Sequence, residues 1–353
     1  MEDSPPAKWE KWATDKKPSM KRRCENHDYH DRCIYMITMV LEGRKPLLGT
    51  LASAPQPHVE LSPLGERVRQ CWNDIAKYHP EVETMKLCVM PDHIHGILFV
   101  HERMGEHLGR VISGFKTGTR KAARELGILP ALVAQATGQR QPSPTVPSTE
   151  QKAPSPVSRH SAEGRSHGLL WEPGYNDRIL LHQGQLTRML AYLDDNPRRL
   201  FIKRSHPEYF TRLGTLTIAG QQMEAMGNRF LLDNPVKIQI QCSRHLYSNE
   251  IEQKKAAILE QSRREGAIVV SPCISPGEQQ IATAAMAARI PLIVLLPNGF
   301  PPLFKPRPRY LEACSEGRLL MLAPFPFHHG KPENLRQRCL CLNALAANIS
   351  DNG

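Results

Sequence analysis

The sequence lacks any long hydrophobic run. Its longest stretch of that kind, residues 290–296, has the length of one buried strand, whereas a helix needs about 20 apolar residues to span a bilayer. Residues 1–23 are polar and charged without an apolar centre, so they do not resemble a secretory signal. We therefore expect a cytosolic protein without a membrane span.

Cysteine pairs with the spacing of a metal site or a disulfide framework are also missing. The nine cysteines are scattered and odd in number, and the close pair Cys339 and Cys341 is spaced too tightly for a usual zinc knuckle. Such cysteines are typical of reduced thiols in the cytosol.

Acidic residues are in deficit. The chain has 46 Lys and Arg against 35 Asp and Glu, which gives a formal net charge of +11. This excess favours a polyanionic partner, of which nucleic acid is the commonest. A basic protein that binds no polyanion would have the same composition, so the motifs must decide.

A length of 353 residues favours two domains. We predict a flexible basic arm over residues 1–30, an α+β domain over 31–210, a connector over 211–234 and an α/β domain over 235–350. Residues 130–168 are rich in Pro, Ser, Thr, Gln and Ala and have few large apolar residues, which predicts a disordered insertion.

Local periodicity predicts the elements of the first domain. The predicted strands cover residues 33–41, 47–51 continued by 59–61, 82–90, 93–101 and 168–180. Helices are predicted to begin at Ser62, Leu108 and Gln185, and Pro197 is expected to end the last of them.

Two histidines stand at the start of an apolar strand. His93 and His95 flank Ile94, and because side chains alternate along a strand, both imidazoles point to one face. Two neutral imidazoles on one face form half of a divalent-metal site. A pair of surface histidines is the alternative.

Tyr192 and Asn196 lie four residues apart on the last predicted helix of this domain. They are therefore neighbours on one helix face. A phenol beside an amide oxygen, facing the two-histidine strand, would supply a nucleophile and a third metal ligand. Alternatively, Tyr192 packs in a helix interface and Asn196 is a polar helix end.

The order of these motifs resembles the REP-associated tyrosine transposases, a branch of the single-tyrosine HUH transposases. The resemblance covers residues 33–205, interrupted by the insertion. It is carried by five segments: Pro91-Asp92-His93-Ile94-His95-Gly96, Phe115-Lys116, Trp171-Glu172-Pro173-Gly174-Tyr175, Asp177-Arg178-Ile179 and Tyr192 to Pro197.

The resemblance implies a ferredoxin-like α+β HUH domain, an antiparallel sheet with helices on one face. It implies that His93, His95 and Asn196 hold Mg²⁺ or Mn²⁺ and that Tyr192 attacks a DNA phosphate, leaving a 5′-phosphotyrosine and a free 3′-hydroxyl. It also implies single-stranded, hairpin-containing DNA as the partner and a homodimer as the assembly. Tyr175 is the rival nucleophile, because it too lies in a matching motif.

Basic residues on two helices are candidate DNA contacts. They are Lys116, Arg120, Lys121, Arg124, Arg198, Arg199, Lys203 and Arg204. An ordinary solvated helix face is the alternative for the first four. Asp92 and Asp177 either assist the metal or serve as a turn cap and a surface ion pair.

The second domain alternates apolar strands and helices, which predicts a doubly wound, Rossmann-like parallel sheet. It resembles the DNA-processing protein A group in the Cys242-Ser243-Arg244, Ser271 to Glu278, Pro297 to Phe300 and Ala323-Pro324-Phe325 segments. A glycine-rich dinucleotide motif is missing. We predict a phosphate or nucleotide pocket, with helix caps as the alternative. Its residues are Ser243, Arg244, Ser275, Gly277 and Glu278.

The sequence thus predicts a metal-dependent endonuclease and strand transferase for single-stranded DNA, acting in transposition or recombination. Two alternatives stay open. One is a DNA-binding protein that lacks cleavage, and the other is a nucleotide-binding protein that acts through its C-terminal domain.

Overall fold

The computed structural model describes residues 24, 26–129, 169–218, 220–243, 247–302, 304–330 and 334–351. The predicted insertion at 130–168 and most of the predicted basic arm lie outside the described residues. The chain divides into two compact units, Met1–Arg198 and Arg199–Gly353.

The first unit contains a four-stranded antiparallel sheet. Its elements in chain order are β1 Cys33–Val40, β2 Gly49–Ala52, β3 His58–Leu61, α1 Pro63–Asn73, α2 Ile75–Tyr78, β4 Val82–Val89, β5 His93–Val100, α3 Leu108–Glu125, β6 Asn176–Leu180 and α4 Gln185–Ser205, which contains the unit boundary. The sheet order is β4-β5-β1-β6, and all neighbours are antiparallel. With α1 and α3 as the crossovers, this order is consistent with the predicted ferredoxin-like fold.

The core of this unit lies between the sheet and helices α1 and α3. Ile94, Leu98 and Val100 alternate toward that side and are fully buried beside Trp72 and Phe115 of the helices. Gly96 lies on the same side, where an added Cβ would come within 2.2 Å of the Trp72 ring. The opposite side of β5 therefore carries His93 and His95.

Three predicted features of this unit were wrong. Residues 47–51 and 59–61, predicted as one interrupted strand, form parts of two strands, β2 and β3, which pair with each other in a separate sheet. The Trp171 segment makes only an isolated bridge with Leu41, and β6 begins at Asn176. Helix α4 continues through Pro197 to Ser205, because a proline removes one helical hydrogen bond and the adjacent turns keep theirs.

The end of the predicted arm also differs. Tyr29 is 4% exposed and packs in the core of the first unit. Its hydroxyl donates a hydrogen bond to Asp177 Oδ2 at 2.6 Å. Residues near position 29 therefore belong to the folded unit.

The second unit contains a mixed six-stranded sheet. Its elements are α5 Pro207–Phe210, β7 Leu213–Ile218, β8 Gln221–Gly227, β9 Lys237–Gln239, α6 Ser248–Glu265, β10 Ile268–Ser271, α7 Pro276–Ala287, β11 Leu292–Leu295, α8 Pro308–Ser315, β12 Leu319–Ala323 and α9 Leu335–Asp351. The order is β7-β8-β12-β11-β10-β9. Strands β9 to β12 are parallel, and β8 and β7 extend the sheet antiparallel.

The residues predicted as a connector therefore form two strands of this sheet, and the sheet is not wholly parallel. Alternating residues of β11 enter two separate cores: Leu292 and Val294 face one, Ile293 and Leu295 the other. Helices α6 to α8 cover the first side and α9 covers the second. Burial on both faces explains the continuous apolar strands, and the arrangement is consistent with a Rossmann-like domain.

Among the helices of the described ranges, none is long and apolar enough to cross a bilayer.

Candidate active site in the first unit

The two imidazoles predicted to share a face are adjacent. The ring centroids of His93 and His95 lie 4.8 Å apart, with an angle of 82° between the rings. His95 is only 4% exposed, and His93 is partly exposed at the start of the strand. His95 is therefore buried, and solvent reaches the pair from the side of His93.

Each imidazole is oriented by an oxygen on its Nδ1 side. His93 Nδ1 lies 2.6 Å from Asp92 Oδ1, and His95 Nδ1 lies 2.7 Å from Thr38 Oγ1. Thr38 stands directly opposite His95 in the neighbouring strand β1. Metal-binding histidines typically have one nitrogen fixed in this way, which sets the direction of the other.

The Asp92 turn is held from both its backbone and its side chain. Leu41 N–H donates to the Asp92 carbonyl at 2.9 Å, and Leu48 N–H donates to the Pro91 carbonyl at 3.0 Å. Arg44 lies 3.1 Å from the second Asp92 oxygen. Burial opposes ionisation of Asp92, but the bond to His93 and the Arg44 guanidinium lower its pKa to about 2. Asp92 is thus an anion at neutral pH, as the partner of a ligating imidazole should be.

Helix α4 brings the predicted phenol to the imidazole pair. The ring centroids of Tyr192 and His95 lie 6.0 Å apart. Leu193 is 1% exposed and Asn196 is 8% exposed, so the helix buries the residues that follow the tyrosine. The phenol and the imidazoles belong to one chain and one unit.

Asn196 is buried next to the same row of side chains. Cys88 stands opposite His95 on strand β4. Burial and the nearby Asp194 carboxylate raise the pKa of the Cys88 thiol to about 11, while the side chains of Lys86 and Asn196 lower it. Asn196 is 8% exposed, so its side chain lies among the buried groups of this row. An amide binds a cation through its carbonyl oxygen, because its nitrogen is a hydrogen-bond donor.

The residues present fit a divalent cation. In the described part of the chain, no three His, Cys, Asp or Glu side chains form a metal-binding group. The predicted donors are instead two imidazoles and one amide, a nitrogen and oxygen set that divalent cations accept. Two observations support the fit: the imidazoles are oriented, and the side chain of Asn196 is buried near Cys88, opposite His95.

An ion pair joins α4 to β4, the edge strand of the sheet. Lys86 Nζ lies 2.5 Å from Asp194 Oδ1, two residues beyond Tyr192. Both side chains line a cavity of about 420 Å³ beside β4. Lys86, Thr38 and Arg44 were not predicted as site residues, since only strand pairing and turn geometry bring them to the site.

The predicted basic residues of α3 do not share the face of the imidazole pair. Helix α3 packs on the side of the sheet that carries Ile94, opposite His95. Lys121 is exposed there, and Arg120 and Arg124 are partly exposed. Any DNA bound by these three residues would have to extend around the sheet.

Lys116, a predicted DNA contact, is a buried cation with backbone partners. Lys116 is only 9% exposed, and its ammonium donates hydrogen bonds to the carbonyls of Glu172 and Gly174. Trp171 Nε1 donates to Thr119 Oγ1 at 2.9 Å, one turn further along α3. Lys116 therefore links the Trp171 segment to helix α3. Its charge made it look like a surface residue in the sequence.

The predicted basic residues in the last part of α4 have different environments. Arg198 pairs with Asp195 at 3.2 Å. Arg199 is 6% exposed and donates to the Pro306 carbonyl at 2.6 Å. Burial and the cations of Arg199 and Lys305 lower the pKa of Lys203, while Arg204 is exposed.

Tyr175, the rival nucleophile, is 5% exposed and belongs to the hydrophobic core of the first unit. Asp177 accepts the Tyr29 hydroxyl, and Asp92 orients His93. The geometry near the imidazole pair thus favours Tyr192.

The residues predicted as a nucleotide pocket lie in the second unit. Ser275 and Glu278 form a reciprocal capping box at the start of α7, and Gly277 packs closely against Cys242. Ser243, Ser275 and Glu278 line a cavity of about 480 Å³. Arg244 lies outside the described residues. The capping contacts account for two of the five residues, and the pocket stays a prediction.

No protein-family profile matches the sequence. The chain is 22% identical over 175 residues to a Haemophilus influenzae protein described as uncharacterized, which covers 50% of this chain and 86% of that protein.

Three solved structures show coarse similarity. The first is a REP-associated tyrosine transposase bound to a REP hairpin, at 14% identity and a TM-score of 0.30, covering 50% of this chain and 73% of that one. The second is a candidate transposase from Deinococcus radiodurans R1, at 14% identity and a TM-score of 0.27, covering 48% and 95%. The third is DNA processing protein A from Helicobacter pylori, studied for its single-stranded DNA binding, at 18% identity and a TM-score of 0.31, covering 40% and 67%.

Proposed function

We propose that the first unit is a single-strand DNA endonuclease and strand transferase of the transposase type, with Tyr192 as its nucleophile. The observation that carries this proposal is the approach of the Tyr192 ring to His95, 6.0 Å between centroids, on the face where both imidazoles are already oriented. The strand order supports a ferredoxin-like HUH domain for this unit and a Rossmann-like domain for the second.

The proposed reaction is a transesterification. The Tyr192 Oη attacks a DNA phosphorus, a phosphotyrosine bond forms, and the bond from phosphorus to the 3′-oxygen breaks. The phenol proton passes through water to the departing oxygen, which becomes a 3′-hydroxyl. Attack by a 3′-hydroxyl on the phosphotyrosine reverses the step, so rejoining needs no ATP because the covalent intermediate conserves the bond.

His93, His95 and Asn196 would hold the Mg²⁺ or Mn²⁺ that this chemistry requires. Such an ion stabilises negative charge on the phosphate oxygens. Thr38 and Asp92 keep the two imidazoles in place.

Helix α4 presents the phenol to that centre. Its docking rests on the buried Leu193 and on the Lys86–Asp194 pair.

The net charge of +11 supports a DNA substrate. Five of the predicted cations are at least partly exposed and could contact phosphates. Lys121 and Arg204 are exposed, and Arg120, Arg124 and Lys203 are partly exposed. A cytosolic location and a homodimer belong to the same proposal.

The test is covalent capture of a hairpin-containing single-stranded DNA in the presence of Mn²⁺. We expect the full chain to form a denaturation-resistant adduct and Tyr192→Phe to form none. Tyr78→Phe, at an 80% exposed tyrosine, is the matched control and should react like the parent. Mass spectrometry of the adduct should place the nucleotide on residue 192.

Two results would overturn the proposal. An adduct that persists in Tyr192→Phe, or that maps to another residue, would exclude the assigned nucleophile. Tight DNA binding by the parent without any adduct would instead favour a DNA-binding protein that lacks cleavage.

A further inference from the structure

A second cavity of about 770 Å³ lies in the second unit. Its walls include the residues that follow β10 and β11, one side of α7 and the start of α8. It shares no lining residue with the cavity around Ser243 and Glu278. The carboxyl ends of parallel strands, where this cavity opens, are the usual ligand sites of α/β sheets.

The lining of this cavity is cationic. Lys305, Arg307 and Arg309 contribute to it, and its lining contains no Asp or Glu. Arg307 immediately precedes α8 and Arg309 lies in the first turn, where the helix dipole also favours an anion. The lowered pKa of Lys203, caused by burial and by the cations of Arg199 and Lys305, reflects the same positive surroundings.

The rest of the lining is apolar and aromatic. Phe304 packs edge-on against Phe300 with centroids 4.8 Å apart, which fixes its ring. Burial raises the pKa of Tyr310 to about 12, so its hydroxyl keeps its proton at neutral pH. Ala282 and Met286 of α7 complete an apolar wall. The cavity thus combines a group of cations with a surface that suits a planar ring.

Cys273 lies in the same wall and has an unusual backbone, with φ of 51°. Its N–H donates to Ser271 Oγ, and its carbonyl accepts from the Gln279 side chain, which together hold that conformation. Burial raises the pKa of the thiol to about 11. The group is therefore a neutral thiol at physiological pH, and Cys273 supplies no reactive thiolate to the cavity.

We propose that this cavity binds a nucleotide, with its phosphate against Arg307 and Arg309 and its base against Phe304 and Tyr310. The site goes beyond the DNA cleavage proposed for the first unit and does not depend on Tyr192. The same chemistry is present in a free nucleotide and in the end of a DNA strand, so the experiment must separate the two sources.

Binding is measured by calorimetry on the full chain with dAMP, with a 5′-phosphorylated ten-residue oligothymidylate, and with inorganic pyrophosphate. We expect Arg307→Gln/Arg309→Gln to weaken nucleotide binding at least tenfold, as loss of charge-assisted bonds to phosphate should. Arg263→Gln/Arg264→Gln, two exposed residues of α6, removes the same charge and should bind like the parent.

The arms of the titration identify the source. Binding of dAMP alone that Arg307→Gln/Arg309→Gln weakens indicates a free nucleotide, and oligonucleotide binding weakened by the same variant indicates a strand end; either supports the site. Oligonucleotide binding that this variant leaves unchanged belongs to the first unit and, without dAMP binding, overturns the proposal. Failure of the parent to bind both, or equal weakening in both double variants, would overturn the proposal. Pyrophosphate binding as tight as nucleotide binding would remove the role given to the aromatic rings.

Blocking each cavity in turn locates the ligand. Thr283→Trp, at a partly exposed position that lines the cationic cavity, should weaken nucleotide binding, and Asn343→Trp, at a partly exposed position that lines the Ser243 cavity, should leave it unchanged. Loss of binding in Asn343→Trp alone would place the ligand in the other cavity and refute the assignment. Tyr192→Phe should bind nucleotide like the parent. The binding experiment therefore tests the cavity even if the nuclease proposal fails.

Discussion

Replacing Asp92 with asparagine tests how far the site depends on the carboxylate behind His93. The change keeps the shape of the side chain but removes the negative charge that faces His93 Nδ1 at 2.6 Å and Arg44 at 3.1 Å. His93 would lose the anion that fixes its ring and tautomer. Loss of such an outer partner typically lowers metal affinity or activity about 10–100-fold, and we expect DNA cleavage by Asp92→Asn to fall within that range.

The magnitude for stability follows from the pKa of Asp92. Its lowering from 3.8 to about 2 corresponds to roughly 2.4 kcal/mol of preference for the charged form in the folded state. The side chain is 22% exposed, so solvent screening reduces this value, and we expect about 1–2 kcal/mol. Because the folded-state pKa is the lower one, this contribution is present above pH ~4 and disappears as the pH falls toward 2.

The assay is urea unfolding at pH 7 and at pH 2.5, followed by tryptophan fluorescence. Trp72 and Trp171 are buried in the first unit, so the change in their signal on unfolding reports on that unit. The variant should be less stable than the parent at pH 7, and the difference should shrink to about a third of that value at pH 2.5. Asp74→Asn, at an aspartate paired with Lys77 on the surface, is the control and should cleave DNA normally. Full cleavage activity in Asp92→Asn, with a pH-independent stability difference, would refute the role given to Asp92.

Two further substitutions test the packing that positions the site. Lys116→Met should lower the free energy of unfolding, measured in urea, by about 2 kcal/mol, because the carbonyls of Glu172 and Gly174 lose a charged donor. Weaker DNA binding at unchanged stability would contradict this. Gly96→Ala should cost about 1–3 kcal/mol, since the new methyl group meets the Trp72 ring at 2.2 Å. Gly114→Ala on α3 meets open space and should be neutral or stabilising; equal losses in both would refute the Trp72 contact.

Features of the site that depend on local periodicity could be predicted from the sequence. Alternation along one strand sets His93 and His95 on one face, and the helical repeat sets Tyr192 beside Asn196. The structure brings these four residues to the same side of the sheet. Their catalytic and metal-binding roles stay predictions.

Features that depend on pairing between distant segments could not be predicted. Thr38 reaches His95 only through the register of β1 and β5, and Lys86 reaches Asp194 only because α4 docks beside β4. Lys116 has the sequence signature of a surface cation, but the Trp171 segment folds over it. The polar sequences of β7 and β8 did not indicate that these residues are strands of the second sheet. Their place in the sheet depends on the pairing of β8 with β12 and of β7 with β8.

The phenol and both imidazoles are supplied by a single polypeptide. One molecule would then be sufficient for scission, and its rate per molecule would not change on dilution. A variant without the tyrosine and a variant without the histidines would therefore not complement each other when they are mixed. Association of copies would matter only for holding two DNA ends near each other while they are rejoined.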